Sequence, residues 1–461
     1  MDFTGKHILV VGLGRSGAAA ARFLAARGAR VKVTDAAPAE ALGPVVAEMA
    51  GLGVELELGG HRPEGFSQAD LIVLSPGVPP GIAPVEAARD RGIPIWGEME
   101  LAVRLIGAPI VGVTGTNGKT TTTDLIAQML EASGLKVFCG GNIGTPLIEM
   151  IGTGDPPQVV VAEVSSFQLD TMDSFHPAVS VLLNVTDDHL DRYADFEAYA
   201  ASKARIFALQ QAGDTAVVNG ADPVVRAMLP HIRAAILVFN GRQAMENGAD
   251  AGPAGITVTL PAPVPPGGTW SVDLCHGARL DLAGFGPQGV HNRENAAAAA
   301  LAALAAGGSL TGIQQALNRF KALAHRLEKV ADKNGVAWFN DSKATNVDAV
   351  ARALDSFAGP LVLIMGGRDK GGNFAALAQR VRDKVKAIVL IGEAGPLIAA
   401  ALANAVPTTK ASTMAAAVET AARLATAGDT VVLAPGCASF DMFTSYAHRG
   451  DVFRRAVEAL A

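Results

Sequence analysis

Three open α/β sheets, each wound mainly in parallel, are predicted for this 461-residue chain. Short apolar runs alternate with helical stretches along most of its length, the pattern of strand–helix–strand units. Run after run ends in glycine or in polar groups, as open parallel sheets do where ligands collect at the carboxyl ends of their strands. The length also exceeds what one core serves, and the pattern restarts twice, giving expected domains at 1–97, 98–322 and 323–461.

The first restart-free stretch opens with an apolar run at 7–11, followed by Gly12, Gly14, Arg15, Ser16 and Gly17, a helix to Gly28, and a second strand at 30–34 ending on Asp35. Glycines there permit a tight turn and close approach of a phosphate, and an acid about 20 residues on can accept a bond from a ribose or base. A nicotinamide enzyme and a binder of any other nucleotide diphosphate fit this fingerprint equally. A buried strand at 69–74 ends in Ser75, Pro76 and Gly77, a turn that reads either as plain or as part of a ligand edge. The strand at 93–96 closes the unit.

The next stretch is the most informative. An apolar strand at 108–113 runs into Thr114, Gly115, Thr116, Asn117, Gly118, Lys119, Thr120 and Thr121 and then a helix. Such a turn aims backbone N–H groups and the positive end of a helix at one point, Lys119 adds a charge that reaches terminal phosphates, and the Thr120 hydroxyl can complete a magnesium shell. The loop is a variant, because Val113 stands where the strict pattern has glycine and Gly112 comes one residue early. Two further strand ends suggest a metal beside it. The run at 158–164 carries Glu163, and that at 179–185 leads into Asp187, Asp188 and His189; oxygen donors with one imidazole suit Mg²⁺ or Mn²⁺. A strand at 136–139 ends in Gly140, Gly141 and Asn142. Lys203 lies on an expected helix at 196–209, where a lysine is ordinarily solvated. Residues 241–268 read as a loop or hairpin excursion, and Asn292 stands before an alanine-rich helix as a polar cap or a nucleotide contact.

From about residue 321 the pattern restarts. Arg326 falls in a linker, and strands at 336–340, 361–365, 387–391 and 430–434 follow. Their ends present Asp341, Lys343 and Thr345, then Lys370, then Ser439 and Phe440, so ammonium, hydroxyl and amide groups share one edge. Such an edge suits a small dicarboxylate.

Composition excludes several classes. A formal net charge of −6, with 18% charged residues and no long basic run, disfavours nucleic-acid binding. Cys139, Cys275 and Cys437 are widely spaced and read as reduced thiols. The alanine-rich tract at 296–306 is far shorter than a membrane span, and the immediate first strand leaves no room for a leader, so a cytoplasmic protein is expected.

Taken together, 114–120 (TGTNGKT), 163–169 (EVSSFQL), 184–193 (NVTDDHLDRY), His325–Arg326, 340–346 (NDSKATN) and 437–441 (CASFD) make the chain resemble the Mur ligases of peptidoglycan synthesis over essentially its whole length. The resemblance implies a UDP-substrate-binding first domain, a central ATP-binding domain and a C-terminal domain that brings the amino acid. It implies an ATP-dependent ligase joining D-glutamate to UDP-N-acetylmuramoyl-L-alanine through an acyl phosphate, and a monomer is expected. ATP would be bound by residues 115–121 with Asn292, Arg326 and Asp341. Two Mg²⁺ ions, replaceable by Mn²⁺, would be held by Thr120, Glu163, His189 and a carbamylated Lys203, these last three and Lys119 forming the catalytic set. Gly14, Arg15, Ser16, Asp35, Ser75, Gly77, Asn142 and His189 would meet the UDP substrate, and Lys343, Thr345, Lys370, Ser439, Phe440 and Tyr446 the D-glutamate. Ala36 and Ala37 after the uracil-side acid, and Tyr446 in place of a phenylalanine, depart from better-known members. No DNPR-like motif for a diamino acid is present. A sister ligase for another amino acid or for folate, and a nicotinamide oxidoreductase, are the alternatives.

Overall fold

A computed structural model describes residues 1–460 except 80, 153, 189–191, 241–247, 253, 254, 259–277, 288 and 322. Its strands form three sheets. In the first, five parallel strands run in the order Glu55–Leu58, Arg30–Asp35, His7–Val11, Leu71–Leu74, Ile95–Gly97. The chain reverses its direction of travel across the sheet between His7–Val11 and Leu71–Leu74, which sets the ligand crevice beside Gly12 and Ser75. There the Ser75 hydroxyl donates to the Gly12 carbonyl at 2.8 Å. Gly17 allows the following helix to sit close, since a Cβ on it would lie 1.9 Å from that same carbonyl oxygen.

The second sheet has nine strands, Ala278–Leu280, Gly255–Val258, Gly248–Gly252, Ala235–Asn240, Thr215–Asn219, Val179–Leu182, Ile110–Thr114, Val159–Glu163 and Val137–Gly141 in spatial order. Only the pairings of Gly255–Val258 are antiparallel. The excursion expected at 241–268 thus extends the sheet edge where it is described; the rest of it, with Cys275, lies outside the described residues. The alanine-rich helix Val290–Ala305 is buried against this sheet. It begins at Val290, with Gly289 as its cap at φ +93°, so Asn292 is inside the first turn and not the cap expected for it. The glycine supplies a left-handed turn that asparagine would adopt less readily. The expected helix at 196–209 ends at Ala204 and tightens into a 3₁₀ turn, Arg205–Phe207.

The third sheet runs Glu328–Lys333, Val336–Asn340, Thr430–Leu433, Leu361–Gly366, Val385–Ile391, Thr408–Lys410, parallel except for its first pair. Two apolar clusters of its own fill its faces. The first and second sheets, by contrast, share one continuous cluster that includes Leu24, Val73, Leu101, Leu147 and Val160.

Glu98 sits at that shared junction, opening the helix Glu98–Val103. It is 1% exposed, its Oε1 accepts from the Ile148 N–H at 3.1 Å, and its Oε2 has no hydrogen-bond partner among the described residues. Burial, with the nearby Glu149 charge adding to it, pushes the Glu98 carboxyl up to about 7. A carboxyl whose folded pKa is raised contributes stability that is fully present below its unfolded value and lost as pH rises through 7. Glu98→Gln should therefore gain on the parent by up to about 3 kcal/mol between pH 4.5 and pH 8, read from unfolding midpoints. A difference that does not change with pH would show that the carboxyl ionises freely.

Candidate active site

The phosphate-type loop lies between the strand Ile110–Thr114 and the helix Lys119–Ala132. Gly118 caps the helix at φ +87°, and a Cβ there would approach Asn295 Oδ1 to 2.4 Å, so both conformation and space require glycine. Asn184, just past the strand Val179–Leu182, pins the loop from the side. Its Oδ1 accepts from the Asn117 N–H at 2.8 Å and its Nδ2 donates to the Asn117 carbonyl at 3.1 Å. The Thr116 and Tyr199 hydroxyls meet at 3.1 Å.

Two lysines converge on one carbonyl. Lys119 Nζ donates to Gly115 O at 2.8 Å and Thr116 O at 2.9 Å, while Lys203 Nζ donates to the same Gly115 O at 2.9 Å. Lys203 is 1% exposed and its Nζ lies 4.6 Å from the Tyr199 ring centroid, which corrects the reading of a solvated helix lysine. Burial first, then the Lys119 charge, holds the Lys203 ammonium well below the usual lysine range; burial also lowers Lys119.

Glu163 ends its strand beside this pair. Its Oε1 accepts from Asn142 Nδ2 at 2.9 Å, and its Oε2 is buried without a hydrogen-bond partner among the described residues. An orphaned carboxylate oxygen at 2% exposure calls for a cation. With Thr120 on the same cavity wall, these donors fit a hard divalent ion. No three His, Cys, Asp or Glu side chains form a ready cluster among the described residues. His189 lies outside them.

Lys119, Thr120, Asn142, Glu163 and Lys203 face a cavity of about 380 Å³ whose opposite wall comes from the third sheet: Lys343, Thr345, Lys370, Ser439 and Tyr446, with Arg326 between. His325 and Leu327, on either side of Arg326, both adopt left-handed backbone at φ 64° and 44°, a conformation uncommon for non-glycine residues. Lys343 Nζ stands 4.0 Å from the Tyr446 ring centroid, and burial, then Arg326, pushes its ammonium down to about 7. Lys370 Nζ pairs with Asp188 Oδ1 at 2.8 Å, and Asn346 Nδ2 donates to Asp188 Oδ2 at 3.0 Å. Phe440 lies on the rim, 66% exposed.

A smaller cavity of about 70 Å³ adjoins the first and brings together Asn117, Gly118, Thr121, Asn292, Arg326 and Asp341. Burial pushes the Asp341 carboxyl up to about 7, against the lowering pull of the Leu327 N–H and Arg326. A third cavity, of about 650 Å³ at the first sheet's crevice, gathers Gly14, Arg15, Ser16, Asp35, Ser75, Gly77 and Asn142. Asp35 accepts there from the Leu13 N–H at 2.6 Å and the Ala37 N–H at 2.7 Å, so its carboxylate also shapes the pocket wall. Asn142 lines this cavity and the central one, joining the two.

Three residues were not singled out by sequence reasoning. Asn184 and Tyr199 organise the loop as described. Arg449, fully buried, donates to Ser342 Oγ at 3.0 Å, Ser342 O at 2.8 Å and Cys437 O at 3.1 Å, tying two strand-end loops of the third sheet together. Asn184 sits in a motif already quoted, whereas a helix arginine carries no signal of burial in local pattern.

Profiles of the Mur ligase middle domain, of the Mur ligase glutamate ligase domain and of the MurD-like Mur ligase N-terminal domain match residues 113–303, 325–437 and 6–97. The chain belongs to the Mur ligase family. A UDP-N-acetylmuramoylalanine–D-glutamate ligase of Desulfatibacillum aliphaticivorans is 50% identical to it, with all of both chains covered. One from Desulfosudis oleivorans is 48% identical over 99% of this chain and 96% of its own. Among solved structures, a pseudomurein peptide ligase type C from Methanothermus fervidus shares the fold at a TM-score of 0.61 and 20% identity, covering 98% of this Mur ligase and 99% of that chain. Among the described residues no helix is long and apolar enough to cross a membrane.

Proposed function

We propose that this Mur ligase joins D-glutamate to UDP-N-acetylmuramoyl-L-alanine at the expense of ATP, acting in the cytoplasm as a monomer. The observation that carries the reading is the full-length, 50% identity to a ligase of that name. The central cavity supports it chemically. Five basic side chains, Lys119, Lys203, Arg326, Lys343 and Lys370, line it with two carboxylates, Glu163 and Asp188, among its described residues. An excess of basic groups in a half-enclosed site favours phosphate and carboxylate ligands.

In this reading the 1–97 region binds the UDP moiety, 98–322 the ATP, and 323–461 the amino acid. The Gly12–Ser75 crevice takes the UDP end of the substrate, and Asn142 guides its alanyl carboxylate toward the phosphate loop. ATP lies with its phosphates on residues 115–121 and its nucleoside toward Asn292, Arg326 and Asp341. A carboxylate oxygen attacks the γ-phosphorus, the bond to the β-bridging oxygen breaks, and ADP leaves with that electron pair. Lys119, already at the loop, neutralises charge on the transferring group. Mg²⁺, held by Thr120, Glu163, His189 and a carbamylated Lys203, would supply further charge neutralisation. Burial keeps Lys203 poised for that change, because only a neutral amine adds CO₂, losing a proton to give the carbamate. D-Glutamate, its carboxylates met by Lys343, Thr345, Lys370 and Ser439 with Phe440 and Tyr446 at the margin, then attacks the acyl carbon through its amine. The amide bond forms, the ammonium loses its proton and inorganic phosphate leaves.

With ATP, Mg²⁺ and UDP-N-acetylmuramoyl-L-alanine, ADP release should depend on D-glutamate and not on L-glutamate, L-alanine or a diamino acid. Release with one of the others would make this a sister ligase. Lys119→Ala should retain the parent's circular dichroism yet lose roughly 10³-fold in turnover; near-normal turnover would mean that the lysine serves only to tie the loop's own carbonyls.

A further inference from the structure

One contact between the second and third sheets involves the phosphate loop itself. Asn184 clamps the Asn117 backbone on both its N–H and its carbonyl, which leaves the Asn117 carboxamide to reach across. Its Nδ2 donates to Asp348 Oδ2 at 2.7 Å. Asp348 lies in the first turn of the helix Val347–Asp355, and the same oxygen accepts from Arg352 Nε, one turn on, at 2.8 Å. The cap of that helix is Asn346, which donates to Asp188. A single helix start therefore holds both the phosphate loop and the Asp188 loop. Asn117 lines both the central cavity and the smaller one beside it, so movement of its carboxamide changes the wall between them.

We infer that Asp348 is a positioning residue that fixes the third sheet to the phosphate loop through Asn117, so that nucleotide binding and docking of the third sheet favour each other. This rests on the reading of the loop as the ATP site. Linkage makes the coupling reciprocal: whatever orders Asn117 strengthens the docked arrangement, and docking pre-orders the loop for nucleotide. The competing role is purely local. An acid in the first turn of a helix is favoured by the helix dipole, and its pairing with Arg352 at i+4 stabilises the helix whatever lies opposite.

The two roles separate in steady-state kinetics and direct ATP titration of the full-length protein. Asp348→Ala should raise the KM and Kd for ATP roughly tenfold, while the KM for UDP-N-acetylmuramoyl-L-alanine stays within about twofold, because, of the two bonds lost, the one to Asn117 lies at the loop and the one to Arg352 lies within the third sheet's own helix. Asp348→Asn, whose carbonyl oxygen still accepts from Asn117 but which has lost the charge favoured at the helix start, should stay within about threefold of the parent for ATP. In an Asn117→Ala background, Asp348→Ala should have no further effect on ATP affinity. An Asp348→Ala protein with lowered thermal midpoint and unchanged ATP affinity would overturn the inference, as would an Asp348→Asn protein as impaired as the alanine variant, or additive losses in the double variant. A parent protein that binds no ATP would bring down the reading of the loop, and this inference with it.

Discussion

Basic side chains crowded into one half-enclosed space govern this molecule. Lys119 and Lys203 share the Gly115 carbonyl, and Arg326, Lys343 and Lys370 face them across a cavity of about 380 Å³. Withdrawing ammonium groups from water is costly unless they are paired, and the cost is visible in the lysines themselves, three of which are held below their ordinary pKa by burial. Backbone carbonyls and aromatic faces hold them meanwhile. An incoming polyphosphate relieves that cost, so binding energy is directed at the group that must react.

The fold concentrates these charges by aiming strand ends of separate sheets at one place. The first two sheets share a continuous apolar cluster, which keeps the Gly12–Ser75 crevice and the phosphate loop in a fixed relation. The third has clusters of its own, and near the site it meets the second through polar contacts, Asp188 with Asn346 and Lys370 and Asp348 with Asn117. Polar interfaces of this kind suit relative domain motion. A cavity with one wall held by such contacts can admit a ligand and then close.

The phosphate loop was legible in the sequence because its signal is local: strand, glycine turn and helix are adjacent, and the turn's left-handed residue has to be Gly118. The strand-end cations of the third sheet were legible for the same reason. Lys203 was not, because its burial comes from packing between a helix, Tyr199 and a loop some 88 residues earlier, which no helical periodicity records. Of the two readings open for Asn292, cap or nucleotide contact, the cap fails because the chain turns three residues sooner, at Gly289. The strands Glu55–Leu58, Thr215–Asn219 and Ala235–Asn240 were not singled out, because segments this short are ambiguous until a neighbouring strand pairs with them. Family resemblance suggested roles that pattern alone left open, such as the carbamate proposed at Lys203.

A cavity that first phosphorylates a carboxylate and then exchanges the phosphate for an amine moves one carboxylate oxygen onto phosphate, and isotopic labelling follows that oxygen. With ¹⁸O in both oxygens of the L-alanyl carboxylate of the UDP substrate, and with ATP and D-glutamate unlabelled, the inorganic phosphate released should carry one ¹⁸O, seen as a shifted ³¹P resonance. Phosphate released without label alongside amide product would contradict an acyl phosphate, and with it the use of this charged cavity as a phosphoryl-transfer site.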